Sequence, residues 1–404
     1  MENFVLSHLE PGNVFRFFEE LSRIPRESGH TDAVSAWVED FARARSLRCR
    51  RDKLGNVVIW KDASPGYEGH PAVILQGHTD MVCVQSPGTD HDFEKDPLTL
   101  VLDGDWLRAE NTTLGGDDGA AVAMMLALLD DDAIPHPPIE AVFTADEEIG
   151  LLGAAGLDCS DLQGRTLINL DSEDEGVLTV GCAGGARCDL ALSMPLRPAS
   201  GKLCTLELTG LPGGHSGAEI HKNIPNANRV LAQCLQALPD ARLVSLCGGE
   251  QDNAIPDRAR AVFALPEDQT ESAPEKFHEL KSGAVCSFTW ASHAPADALS
   301  PEDTRKAVGL ILSAPNGVQA MEPDLPGQVR TSLNLGILRL EEGRLRLTWS
   351  VRSSAGAEKE KLIEALKALA DSCGGTFSRR GDYPAWEYRP ASRLRDVMVR
   401  VYRE

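Results

Sequence analysis

Four short clusters rich in carboxylates or histidine each follow an apolar run or open an apolar helix. They are AVILQGHTDMV with His78 and Asp80, TTLGGDDGAA with Asp117 and Asp118, IEAVFTADEEIG with Asp146, Glu147 and Glu148, and LINLDSEDEG with Asp171. The runs 56–60, 72–75, 139–144 and 166–170 read as strands. The last three are apolar nearly throughout, which predicts a sheet buried on both faces. Between the second and third, GAAVAMMLALL at 119–129 reads as a buried helix. Upstream, Val14, Phe17, Phe18 and Leu21, then Val34, Val38 and Phe41, recur at helical spacing. Pro25 and Gly29 break these two helices, and Thr31-Asp32 starts the second. Strands alternating with helices predict an α/β layer, here a mostly parallel sheet flanked by helices.

The pattern changes near 181–187. From 188 to about 375, stretches such as LCTLELTGL and RLRLTWSVR alternate apolar and polar residues, which predicts antiparallel strands. The segments 226–238 and 358–370 read as helices packed on that sheet, an α+β layout. The tail starts with a strand-like piece, passes YPAW and ends on a helix at 393–402. A chain of 404 residues exceeds what one core of roughly 250–300 residues holds. The expected division is 1–186 as the first part of one domain, 187–375 as an inserted domain and 376–404 as the returning part of the first. The acidic run 130–132, at a helix end, reads as a solvated turn.

With 61 acidic against 40 basic residues, the net charge is -21, so the basic footprint of a nucleic-acid binder is missing. No run approaches the ~18 apolar residues of a membrane span, and no secretory leader opens the sequence. The ten cysteines include no C-x-x-C pair and read as small buried hydrophobes in a reducing compartment, so a cytoplasmic location is expected.

Taken alone, each cluster is ordinary. H-x-D is a weak signal, GGDDG serves equally as a turn and helix cap, and a Glu pair at a strand end is usually solvated. Their joint placement is not ordinary, because sites in open α/β sheets form outside the carboxyl ends of strands. Converging carboxylates repel one another and raise one another's pKa values, and a divalent cation removes that penalty. Histidine with several carboxylates suits Zn²⁺, Mn²⁺ or Co²⁺. Two such ions ~3.5–4 Å apart are a common hydrolytic arrangement.

GHTDMV, TTLGGDDG, DEEIGLLGAAGL and NLDSEDEG, followed by VGCAGG, closely resemble the aminoacyl-histidine dipeptidases, the cytosolic non-specific dipeptidases among the two-metal aminopeptidase-like metallopeptidases. The second region resembles them through LPGGHSGAEIH, GGEQDNAIP, TSLNLGILRL and SVRSS. The resemblance implies an aminopeptidase-like catalytic domain with an inserted lid and dimerisation domain, a homodimer, and hydrolysis of small peptides including Xaa-His. It implies two divalent ions, zinc first, with manganese or cobalt as alternatives. His78 and Asp171 would hold one ion, Glu148 the other, and Asp117 would bridge them. Asp80 would orient His78. Glu147 would be the general base and acid acting on a metal-activated water. His215 resembles the second-domain histidine that stabilises the oxyanion, in related enzymes sometimes from the partner subunit. Asn253 and Arg352 match motifs for substrate binding, with a structural ion pair an equal reading for Arg352.

In the family, a segment of the form HAGLECG follows the YPAW-type stretch and supplies a later His to the second metal. No histidine lies in the last hundred residues here. The expectation is therefore a truncated chain with an incomplete second site. Two alternatives stand beside the dipeptidase: a related deacylase or aminotripeptidase, and a metal-binding chain without catalysis.

Overall fold

The computed structural model describes residues 5–172, 174–277, 282–291 and 296–404. It divides into two compact units, Met1–Thr179 with Ser392–Glu404, and Val180–Ala391.

The first unit begins with α1 (Gly12–Leu21) and α2 (Asp32–Ala44), then β1 (Arg48–Arg51), β2 (Val57–Lys61) and β3 (Val73–His78). A hairpin of β4 (Leu100–Asp103) and β5 (Trp106–Ala109) precedes α3 (Gly116–Asp130), β6 (Ile139–Thr144), α4 (Leu152–Gly156) and β7 (Thr166–Asn169). The five-stranded sheet runs β1-β2-β6-β3-β7. Its β6–β3 and β3–β7 pairings are parallel and its β1–β2 and β2–β6 pairings antiparallel, so it is mixed rather than mostly parallel. The antiparallel half starts from a tight turn. Asp52 Oδ1 accepts from the N–H groups of Leu54 and Asn56, and Gly55 takes φ +87° there.

Strand β6 is buried at every position, Glu140 and Thr144 included, as suits the central strand of the sheet. Strand β7 is not, because it lies at the sheet edge, and Leu167 is half exposed. Phe17, Phe18 and Leu21 of α1 share a core with Val34, Val38 and Phe41 of α2 and Val122, Met125 and Leu126 of α3. Phe17 meets Phe41 edge to face at 5.4 Å. The acidic run is more than a solvated turn. Asp130 pairs with Arg16 and Arg45, and Asp132 with the buried Lys61.

The second unit is built on a nine-stranded sheet whose pairings are all antiparallel. Val329–Glu341, Arg344–Ser353 and Gly184–Ser193 lie side by side in it. Thr376–Tyr383 pairs with Gly184–Ser193 at one edge, and so belongs to the second unit. The expected helices are present as Ala227–Gln236 and Gly356–Cys373. A further helix, Pro301–Ser313, was not legible; Ser300 caps it by accepting from the Asp303 N–H. Leu231, Leu235, Ile311 and Leu366 from these helices share one core with Leu347 and Trp349 of the sheet. No helix among the described residues is long and apolar enough to cross a membrane.

Candidate metal centre

Because β3, β6 and β7 run parallel, their carboxyl ends open on one edge of the sheet. His78 ends β3, the turn with Glu147 and Glu148 follows β6, and Asp171 follows β7. The mouth of α3 brings Asp117 and Asp118 to the same edge. Its first residues leave helical geometry, with ψ 114° at Asp117.

His78 Nε2 lies 2.9 Å from Asp117 Oδ1 and 3.9 Å from Asp171 Oδ2. Two groups converge on it. The donor atoms of His78, Asp117 and Glu148 lie within 4.8 Å of one another, as do those of His78, Asp118 and Asp171. All four residues expected to bind metal are thus brought together. Asp118 joins them as a donor to which the sequence assigned no role. One of its oxygens, Oδ2, accepts the His78 backbone N–H at 3.0 Å. Gly77 makes room for that oxygen, since a β-carbon there would stand 2.6 Å from it.

Asp80 is fully buried. Its carboxylate accepts from the N–H groups of Glu147 at 3.0 Å and Glu148 at 3.2 Å and from the Ser28 hydroxyl at 2.7 Å. Its Oδ1 stands 3.4 Å from His78 Nδ1, which also lies 3.1 Å from the Asp80 carbonyl. Asp80 therefore orients the histidine so that Nε2 faces Asp117 and Asp171.

Burial opposes the charge on Asp80, but the hydrogen bonds from His78, Glu147 and Ser28 outweigh it and hold the carboxyl at about 2. Burial likewise opposes charge on His78, yet the carboxylates of Asp80, Asp118 and Asp117 raise it to about 9. Burial and the charge of Asp171 push Asp118 up to about 7. Glu147 and Glu148 are also raised, first by burial and then by their acidic neighbours. Imidazole nitrogen and carboxylate oxygens at this spacing are the donors that Zn²⁺, Mn²⁺ and Co²⁺ take, and a divalent cation relieves the repulsion that raises these acids.

The other three expected residues lie in the second unit and gather there around Gly217. A β-carbon on Gly217 would stand 3.0 Å from His215 Cε1 and 3.3 Å from Arg352 Cζ. Asn253 joins them through its carbonyl, which accepts the Ser216 N–H at 2.8 Å. The Ala218 N–H donates to His215 Nδ1 at 3.1 Å, so the neutral ring carries its proton on Nε2. Arg352 donates from Nη1 to the Tyr383 hydroxyl at 3.3 Å, and no ion pair within 4.0 Å is formed by Arg352 among the described residues. The alternative of a structural ion pair therefore has no partner there. Tyr383 carried no signal of its own in YPAW. The fit shows instead at Gly185, where a β-carbon would meet the Tyr383 hydroxyl at 2.5 Å.

Known proteins share much of this chain. Residues 206–283 match the model of a peptidase dimerisation domain. The cytosol non-specific dipeptidase of Escherichia coli (strain K12) is 35% identical over 399 residues, covering 95% of this chain and 82% of that protein. The crystal structure of aminoacylhistidine dipeptidase from Vibrio alginolyticus superposes with a TM-score of 0.88 at 34% identity, covering 97% of this chain and 83% of that one. Aminopeptidase PepT from Bacillus cereus shares the fold, with a TM-score of 0.50 at 16% identity over 97% of this chain and 81% of that one.

Proposed function

The chain belongs to the cytosol non-specific dipeptidase family of metallopeptidases, and on that premise we propose that it hydrolyses dipeptides, Xaa-His among them. The observation that carries this reading is the convergence of His78, Asp117, Glu148 and Asp171 beside Glu147. His78 and Asp171 would hold one divalent cation and Glu148 the second, with Asp117 serving both. Asp117 rather than Asp118 takes the shared place because its donor atom converges with those of both His78 and Glu148. Zinc is the first candidate, with manganese and cobalt next. Bound there, the cations would supply Lewis-acid polarisation of the scissile carbonyl and a lowered pKa for the attacking water.

The chain's own groups do the rest. Glu147 takes the proton of the attacking water and returns it to the leaving amine. Its raised pKa, set first by burial, brings it closer to the neutral range where a carboxylate serves both roles. His215 would serve as an oxyanion donor through Nε2–H, in the tautomer that Ala218 imposes. Arg352 and Asn253 take the substrate's terminal carboxylate, and the planar guanidinium suits that anion. The match of 206–283 to a dimerisation domain supports a lid and homodimer role for the second unit. The relative's name supports a cytosolic location.

A panel of zinc-reconstituted assays tests the substrate class. It comprises Xaa-His and other dipeptides, a tripeptide, and N-acyl amino acids. Dipeptides are expected to lead by kcat/KM. A lead for the tripeptide or the N-acyl amino acids would replace this reading with an aminotripeptidase or a deacylase.

A further inference from the structure

Arg26 is 2% exposed and is among the largest wholly buried side chains of the protein. A buried guanidinium is costly unless its N–H groups are received. Here backbone carbonyls receive Nη1 and Nη2, while the buried Nε has no partner among the described residues. Nη1 donates to the carbonyls of Thr79 at 3.1 Å and Asp80 at 3.2 Å, and Nη2 to that of Gly115 at 2.5 Å. Those carbonyls belong to two separate loops, the one after β3 that carries Asp80 and the one that opens α3 with Asp117 and Asp118.

The residues after Arg26 extend the same clasp. The Met81 N–H donates to the Arg26 carbonyl at 3.1 Å. Ser28 donates to Asp80 Oδ2, and the Gly29 N–H to Asp146 Oδ1 at 2.7 Å. One short segment, 26–29, is therefore tied to three of the loops that carry the candidate ligands and base. Two glycines admit the guanidinium. A β-carbon would stand 2.3 Å from Arg26 Nη2 at Gly115 and 2.8 Å from it at Gly119. Among the described residues Arg26 forms no ion pair within 4.0 Å. Its charge is instead felt by Asp80, Asp118 and Asp117 together.

We propose that Arg26 is the positioning residue of the metal centre, locking the His78–Asp80 loop to the mouth of α3 so that His78 and Asp117 are held at the spacing a divalent cation needs. The inference rests on the two-cation reading above. Arg26 touches neither substrate nor cation. It acts through the backbone of the residues that do.

The test is Co²⁺ titration of the chelator-stripped full chain, followed by the cobalt absorption spectrum and by competition with a chelator. Wild type is compared with Arg26→Met, Arg26→Lys and Gly119→Ala. The last keeps the charge but pushes the guanidinium aside, so it answers the question even where Arg26→Met fails to fold. Lys359→Met, in the second unit, serves as a control for lost stability alone. Folded Arg26→Met and Gly119→Ala are expected to bind Co²⁺ about 10–100-fold more weakly with an altered cobalt spectrum. Arg26→Lys should recover part of the affinity, and the Lys359→Met control should match wild type. Wild-type affinity and spectrum in folded Arg26→Met and Gly119→Ala overturn the proposal while leaving the metal centre intact. A wild-type chain that binds no Co²⁺ overturns the metal centre itself, and this inference with it.

Discussion

Asp80 holds Glu147 by its backbone: the Glu147 N–H donates to Asp80 Oδ1 at 3.0 Å. The same carboxylate receives Glu148 and Ser28 and faces His78 Nδ1. One buried side chain thus contacts the candidate ligands His78 and Glu148 and the candidate base Glu147. Asp80→Asn preserves the shape but turns a donor toward groups that are themselves donors. It should weaken Co²⁺ binding about 10–100-fold and lower kcat as well. Cobalt titration beside steady-state kinetics checks this, and wild-type values in both would remove Asp80 from the mechanism.

His215 should separate chemistry from metal binding. With Nδ1 committed to the Ala218 N–H, only Nε2–H is left to donate. His215→Ala is expected to lower kcat about 10²–10³-fold, the usual effect of losing one oxyanion donor. Metal content, read by elemental analysis of the same samples, should stay at the wild-type level. An unchanged kcat would exclude His215 from the reaction.

Arg352 should govern affinity for the free carboxylate end of a substrate. Arg352→Lys is expected to raise KM about 10–100-fold for a dipeptide, the worth of about 1.5–3 kcal/mol for a hydrogen bond to a charged group. A C-terminally amidated dipeptide should lose far less. Equal losses on both substrates would show that Arg352 does not read the carboxylate. Tyr383→Phe should move KM in the same direction by a smaller factor, because it removes only the acceptor on Arg352 Nη1.

Much of this site is legible in the sequence, and for a physical reason. His78, Glu148 and Asp171 each follow an apolar run, and Asp117 opens an apolar helix, so local pattern alone places them at carboxyl ends of strands or a helix mouth. Arg26 and Tyr383 are not legible, since what distinguishes them is contact across 53 to 89 residues in one case and 31 in the other. Asp118 was visible as a residue but not in its role, which depends on the His78 N–H. The direction of β2 was hidden as well. A buried strand such as VVIWK has the same apolar pattern whichever way its neighbour runs. The edge position of β7 escaped for the converse reason: its apolar residues do not reveal that only one side is paired.

Acid should expose an ion-pair network in the second unit. Buried Lys359 donates to Asp382 Oδ1 at 2.7 Å and to the Tyr383 carbonyl at 2.6 Å. Burial pushes the Asp382 carboxyl up, but Arg379 and Lys359 outweigh it and hold it below its ordinary value of 3.8. A group depressed in the folded state stabilises fully above its unfolded pKa, and that contribution fades as pH falls through the folded one. Asp382→Asn should therefore lower Tm at pH 7, with the gap to wild type closing as the pH falls below about 4. Thermal melts followed by circular dichroism at stepped pH check this. A gap that stays constant into acid would show that Asp382 contributes nothing through its charge.

The most direct measurement is hydrolysis of an Xaa-His dipeptide by the chelator-stripped chain before and after reloading with Zn²⁺, run beside Glu147→Gln. The expected result is no turnover when stripped and turnover on reloading. Glu147→Gln should take up the same amount of zinc with kcat lowered about 10²–10⁴-fold. Turnover that survives stripping, or Glu147→Gln with wild-type kcat, would contradict a metal-dependent dipeptidase with Glu147 as its base.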